Sequence, residues 1–315
     1  MQAARLRFPD APEPFLDLST GINPVPYPVP PLPAAAFTRL PEPEALEALQ
    51  AVAAAAYGVS DPAMVVAAPG TQALISLLPL LLPQRAVTVF GPTYAEHAAS
   101  WRNAGAEVTL LPLPEGEGAA ILCNPNNPDG RRVPVPDLLA LAARHALLVV
   151  DEAFAEFAPQ DSLAPHMPLP GVVVLRSFGK AYGLAGLRLG FALAAPALAA
   201  RIRAALGPWA VSGPALHVGI AALADTAWRD DAGQRLDTDA SVLDALLAAA
   251  GMCLVGGTSL FRLVETPDAA GWADHLGRAG ILVRAFADAP ARLRFGLPST
   301  AAGWNRLAFA LNRRE

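Results

Sequence analysis

The sequence predicts an α/β fold, with a large domain built on a mainly parallel sheet and a smaller C-terminal α+β domain. Three observations carry this. Short apolar, β-branched runs recur between stretches of helical periodicity, the texture of the chain changes near residue 207, and polar clusters sit where the apolar runs end. In an open parallel sheet, that edge is where ligands bind.

The first 40 residues contain "NPVPYPVPPLPAAA". Each proline lacks a backbone donor and has a locked φ, so residues 1–40 are expected to form an extended arm rather than interior helix or strand. Helical patterns then fall at about 42–57, 71–82, 94–104, 136–145 and 196–206. Between them lie a short strand at 64–67, then "AVTVF" from 86, "EVTLL" from 107, "AAILC" from 119, "ALLVV" from 146, "VVVL" from 172 and "RLGFAL" from 188. Together these make a large domain over 41–207. Beyond it, an Ala- and Leu-rich helical stretch precedes "MCLVGG", "SLFRLVE", "ILVRAF", "RLRFGLP" and a final helix near 300–313. Residues 208–315 are therefore expected to be a linking helix and a small domain of two or three strands with two helices.

Composition narrows the function. With 315 residues, 53% apolar and 16% charged, the chain can bury a full core. A net charge of −5 offers no general basic footprint, so nucleic acid is not an expected partner and anion recognition should be local. Cys123 and Cys253 lie in apolar contexts and suggest a reducing compartment; no metal-ligand spacing is present, and no metal is expected. The start "MQAARLRFPDAPEPF" lacks the apolar run of a signal peptide. Proline breaks "LISLLPLLLP" and "FALAAPALAA" well short of the ~20 residues a membrane span needs. A cytoplasmic protein without membrane partners is expected.

The strand ends collect chemistry. "APGTQAL" follows the first strand: Gly70 permits close backbone approach, while Thr71 and Gln72 open a helix whose free amides suit a phosphate. A turn with a Thr cap is the plainer alternative. "NPNNPDG" carries Asn126 and Asn127 over the sheet edge, although its composition also suits a simple turn. "DEAF" sets Asp151 on a very apolar base, as a helix cap or as the partner of a cation such as a protonated ring nitrogen. "VVVLR" delivers Ser177, Lys180 and Arg188, the hydroxyl and guanidinium being good phosphate ligands.

Lys180 is the only lysine among 23 basic residues. An amine can lose its proton and form a Schiff base, which a guanidinium cannot; an ordinary surface cation in a chain whose composition favours arginine is the plainer alternative. Phosphate cradle, carboxylate, amide and amine together describe a site for pyridoxal 5'-phosphate.

From about residue 19 onward the chain resembles the fold-type I pyridoxal-phosphate enzymes of the aminotransferase superfamily, through "NPNNPDG", "DEAF" and "SFGKAYGLAGLRLG" in order and spacing. The resemblance implies that Lys180 links covalently to the cofactor and Asp151 keeps its ring nitrogen protonated. It also implies that Asn127 bonds the ring hydroxyl, that Tyr94 of "GPTYAEH" stacks on the ring, and that Gly70, Thr71, Gln72, Ser177 and Arg188 hold the phosphate. "DLSTGINPVPYP", "APGTQALI", "RSFGKAYGLAGLRLGFA" and "RFGLP" resemble a decarboxylase-like branch serving cobalamin biosynthesis, with L-threonine O-3-phosphate as the implied substrate. Gly21, Asn23, Arg284 and Arg294 are then the candidate substrate ligands, and for each arginine a surface or domain-packing role suits the sequence nearly as well.

Phe154 stands where the aminotransferases usually carry Tyr, which favours decarboxylation. The alternative is an aminotransferase acting on histidinol phosphate or a related phosphorylated amine. Leu40 stands where relatives commonly carry a Tyr that reaches a phosphate across a homodimer, so that contact is not transferred, while a homodimer is still implied.

Overall fold

The apolar runs become strands because both faces of the sheet they form are covered. The computed structural model describes residues 2–112 and 118–313. Among these, seven strands form one sheet in the order Val65–Ala68, Gly190–Ala194, Val172–Ser177, His145–Asp151, Gly118–Cys123, Ala86–Phe90 and Glu107–Leu111. Gly190–Ala194 is antiparallel to both of its neighbours, and the remaining pairings are parallel.

Alternate residues enter two separate apolar clusters. Leu148, Val150, Val172 and Val174 join one, and Leu147, Val149, Val173 and Leu175 join the other. A strand buried on both faces shows no polar alternation, which is why these segments read as continuous hydrophobic runs.

The helices are bounded by their own chemistry. Pro43–Tyr57 begins with proline in its first turn and stops at Gly58, whose φ of 69° ends the helix in the left-handed region. Thr71–Leu81 starts from Gly70, at φ 86°, with no side-chain cap. The Thr-cap alternative for "PGTQ" is thereby excluded, because Thr71 lies inside the helix.

The chain divides into two units, Tyr27–Asn127 with Arg131–Arg229, and Met1–Pro26 with Pro128–Gly130 and Asp230–Glu315. These limits differ from those read off the sequence, 1–40, 41–207 and 208–315. Residues 208–229 go with the large unit because helix Gly213–Ala224 packs tightly there. A Cβ at Gly213 would lie 2.2 Å from the Ala36 carbonyl oxygen, and one at Gly219 would lie 2.7 Å from Leu189.

The smaller unit is richer than the expected two or three strands with two helices. Its antiparallel sheet runs Arg284–Ala285, Arg292–Phe295, Phe261–Glu265, Cys253–Thr258, and Leu16–Asp17 pairs parallel with Ile281–Leu282. Helix Ala269–Arg278 was not legible in the sequence; Ala301–Asn312 was. Nor is the first segment wholly extended: Gln2–Arg7 and Ala35–Thr38 are short helices, and the prolines between residues 24 and 33 lie outside regular structure. Among the described residues, no helix is long and apolar enough to cross a membrane.

Candidate active site

At the carboxyl edge of the parallel strands, the large unit holds a cavity of about 210 Å³. Gly70, Thr71, Gln72, Tyr94, Asn127, Asp151, Ser177, Lys180 and Arg188 all line it. They come from five separate segments of the chain. The structure thus gathers every residue assigned to the cofactor from sequence.

One end is a cradle for an anion. Helix Thr71–Leu81 points its first amides at the cavity, and the helix dipole adds a partial positive charge there. Arg188, held at φ 55° with Nη1 donating to the Ala185 carbonyl at 3.0 Å, lays its guanidinium against Gly70. A Cβ on Gly70 would come within 2.5 Å of that guanidinium and displace it, and at φ 86° any side chain would be strained, so glycine suits the position. Gly190 is equally constrained, since its Cβ would lie 2.7 Å from the Thr71 amide nitrogen. Ser177, ending strand Val172–Ser177, adds a hydroxyl.

The carboxylate and the amine occupy the rest. Asp151 ends strand His145–Asp151, only 5% exposed, and its Oδ1 accepts the Ala153 amide at 3.0 Å. No helix starts there, so the capping alternative for "DEAF" fails. Lys180 lies in the single turn Phe178–Ala181, with Nζ 5.8 Å from the centre of the Phe154 ring. That turn is tight because Gly179 has the Ala185 Cα where its own Cβ would be, at 2.7 Å.

The two asparagines of "NPNNPDG" part company. Asn126 is buried and donates to the Pro92 carbonyl at 3.0 Å, whereas Asn127 lines the cavity. Tyr94 donates its hydroxyl to Gln72 Oε1 at 3.1 Å, which fixes its ring beside the cavity. Burial, then the nearby Glu96, Asp151 and Cys123, raise its phenol above the ordinary range.

Sequence reasoning missed what stands behind Asp151. His97 Nε2 lies 2.8 Å from Asp151 Oδ2, and both side chains are buried. Burial alone would lower the pKa of His97, but Cys123 and Asp151, each hydrogen-bonded to the ring, overcome that and raise it to about 10. Asp151 therefore has a fixed cationic partner. The signal was present in "GPTYAEH": His97 is three residues beyond Tyr94, hence near it on the helix that starts at Ala95.

A raised histidine pKa stabilises the fold fully below the unfolded value of 6.5, and this contribution is lost as pH rises through about 10. His97→Gln is accordingly expected to cost about 3–5 kcal/mol at pH below that lower limit, because a buried ion pair loses one partner. The penalty should shrink steadily toward the upper limit. Urea unfolding of both proteins across this range would show it, and a constant penalty would contradict a charged His97.

A second buried network anchors the loop that carries Phe154. Arg176 bonds Glu152 Oε2 at 3.0 Å and Glu156 Oε2 at 2.8 Å, while Glu152 also accepts from Ser162 Oγ at 2.5 Å and from the Leu163 amide at 2.6 Å. The strand leading to Lys180 and the loop after Asp151 are thus tied together.

The four candidate substrate ligands belong to the smaller unit. Arg284 and Arg294 are cross-strand partners on antiparallel strands. Arg294, 9% exposed, donates Nη2 to the Ser19 carbonyl at 2.8 Å, which brings it to the segment bearing Gly21 and Asn23. Burial, then the like charge of Arg284, lower its pKa to about 10. Asn23 is buried and turns its Oδ1 to the Val25 amide at 3.0 Å.

A fold with a mostly parallel seven-stranded sheet, and a lysine, a buried carboxylate and an anion cradle at its carboxyl edge, defines a class of enzymes. The chain belongs to the family "Aminotransferase class I and II", whose model matches residues 34–311. Within that family it is 46% identical to a threonine-phosphate decarboxylase of Sinorhizobium sp., covering 99% of this chain and 96% of the relative. It is 43% identical to a second threonine-phosphate decarboxylase, from Pseudomonas aeruginosa, covering 94% and 91%. The crystal structure of L-threonine-O-3-phosphate decarboxylase from Porphyromonas gingivalis shares the fold, with a TM-score of 0.77 at 21% identity over 94% of this chain and 98% of that one.

Proposed function

We propose that this chain binds pyridoxal 5'-phosphate and decarboxylates L-threonine O-3-phosphate to (R)-1-amino-2-propanol O-2-phosphate, as a step toward cobalamin. The observation that carries the reading is the cavity itself, in which Lys180, Asp151 and the Gly70–Arg188 cradle stand together. The residues fit the cofactor: a guanidinium over a bare glycine at a helix start suits a phosphate, and a buried carboxylate suits a protonated ring nitrogen. The two relatives above 40% identity support the choice of reaction.

When bound, pyridoxal phosphate supplies an electron sink for the charge left on Cα as carbon dioxide departs. Everything else falls to the chain. Thr71, Gln72, Ser177 and Arg188 would hold the phosphate, Asn127 would bond the ring hydroxyl, and Tyr94 would pack against the ring. Asp151, backed by His97, would hold the ring nitrogen in its protonated form. Lys180 would hold the cofactor through its Nζ, and the same amine could carry a proton to and from the substrate. Phe154 lines the cavity without offering a hydroxyl.

Incubating the loaded enzyme with L-threonine phosphate and no keto acid should release carbon dioxide and the amino-alcohol phosphate. If the protein instead converts its cofactor to the amine form with L-glutamate and releases no carbon dioxide, it is an aminotransferase.

Arg284 and Arg294 are proposed to hold the two anionic groups of the substrate, since neighbouring guanidinium groups favour an anion. Arg294→Lys keeps a charge but loses the planar fork. Decarboxylation is expected to fall about 10- to 100-fold, equivalent to about 1.4–2.7 kcal/mol in the barrier, with slow transamination emerging as control over the carboxylate loosens. Unchanged kcat/KM would remove Arg294 from the site.

We also propose a homodimer. Phe37, Leu40 and Trp209 are 67%, 63% and 56% exposed, and an apolar groove runs by Pro41, Leu46 and Trp209. Light scattering is expected to give twice the chain mass of 32.7 kDa, and an active monomer would contradict it.

A further inference from the structure

Behind the cofactor contacts, three side chains with metal-binding atoms converge. His97, Cys123 and Asp151 are all buried, and their ligand atoms lie within 4.8 Å of one another. Cys123 ends strand Gly118–Cys123 and Asp151 ends its parallel neighbour, where the register pairs the two residues directly. His97 reaches both from the helix Ala95–Asn103.

We propose that these three residues form a site for a soft divalent cation, Zn²⁺ above all, which opens when the cofactor is absent and blocks cofactor loading when filled. The ligand set is that of zinc: a thiol sulfur, an imidazole nitrogen and a carboxylate oxygen. Metal–ligand bonds of about 2.0–2.3 Å place tetrahedral ligand atoms roughly 3.3–3.8 Å apart. The His97–Asp151 contact of 2.8 Å need open by only about half an ångström, well inside a side chain's freedom.

A fourth position is available. Cys123 and Asp151 both line the cavity, so a water there completes the coordination. The sulfur selects against Mg²⁺ and Ca²⁺, which prefer all-oxygen sites. As the cation enters, the ring proton shared with Asp151 and the thiol proton leave to solvent. Asp151 is then committed to the metal and cannot serve a ring nitrogen, so the two occupants exclude each other. That competition rests on the cofactor reading; the metal site itself does not.

Co²⁺ serves as the optical probe. Titrated into the full-length protein stripped of cofactor, it should bind one to one and produce a thiolate-to-cobalt absorbance band that Zn²⁺ then abolishes. Cys253→Ser should keep the band, because Cys253 is exposed and lies in the other unit. Cys123→Ser should lose the band and weaken binding at least about tenfold. Cys123→Ala, a second variant in case the first misfolds, should lose it likewise. Protein loaded with pyridoxal phosphate beforehand should take up no cobalt.

A cofactor-free protein without the band, or a Cys123→Ser variant that retains it, overturns the site. Equal cobalt uptake by loaded and stripped protein overturns the exclusion. Should pyridoxal phosphate fail to bind at all, the cobalt titration still reads the metal site, so failure of the functional reading and failure of this one are separable.

Discussion

Lys180→Arg is expected to abolish turnover and the visible absorbance of the lysine-linked cofactor together. The chain has no second lysine to substitute for it. Arginine keeps the charge within the single turn Phe178–Ala181, so the fold and the phosphate cradle should persist. What disappears is a group able to lose a proton and attack an aldehyde. A proton-transfer role would alone be worth about 10²- to 10⁴-fold, and loss of attachment would add to that. Two readings separate the causes: absorbance spectroscopy follows the covalent link, and far-UV circular dichroism follows the fold. A variant that kept both the band and the turnover would remove Lys180 from the mechanism.

Asp151→Asn is expected to leave a folded protein that takes up cofactor and turns over poorly. An opposite charge at contact distance shifts a partner's pKa by about 1–3 units, so a neutral amide should cost about tenfold to a thousandfold in kcat. The change also faces His97, whose ring now meets an amide in place of the carboxylate at 2.8 Å. His97→Gln should therefore act in the same direction but less severely, since Asp151 remains ionisable there. Near-normal kcat in Asp151→Asn would reduce the carboxylate to its contact with the Ala153 amide. The pair of variants assayed together distinguishes a charge effect from a packing effect.

Much of this architecture was legible in the sequence because it depends on local pattern. Seven β-branched runs gave seven strands, and the residues at their carboxyl ends met in one cavity, as an open parallel sheet requires. Lys180 and Asp151 were legible through chemical scarcity, an only lysine and a carboxylate on an apolar base. The rest depends on partners distant in the chain. Nothing in "DEAF" says that Asp151 would face His97 while Glu152 next to it would bury against Arg176.

Helix Ala269–Arg278 was obscured by its two glycines, which lower helical propensity, although Ala269, Trp272 and Leu276 share its buried face. The limits of the two units differ from those read off the sequence for a related reason. Proline-rich composition marks where regular structure stops, but it does not say that Tyr27 packs edge-on against Tyr182 and Trp228 of the large unit.

The antiparallel strand Gly190–Ala194 has a consequence for biosynthesis. Among the described residues, strand Val65–Ala68, which leads into the cradle, is hydrogen-bonded in the sheet only to that strand, with Ala68 opposite Gly190. The early segment must therefore wait for a much later one to leave the ribosome, and contacts so far apart in sequence form slowly. A nascent chain that ends just after Lys180 would already display the amine and the carboxylate but no seated anion cradle. The cradle beside Gly70 is thus expected to be seated only after residue 194 has emerged.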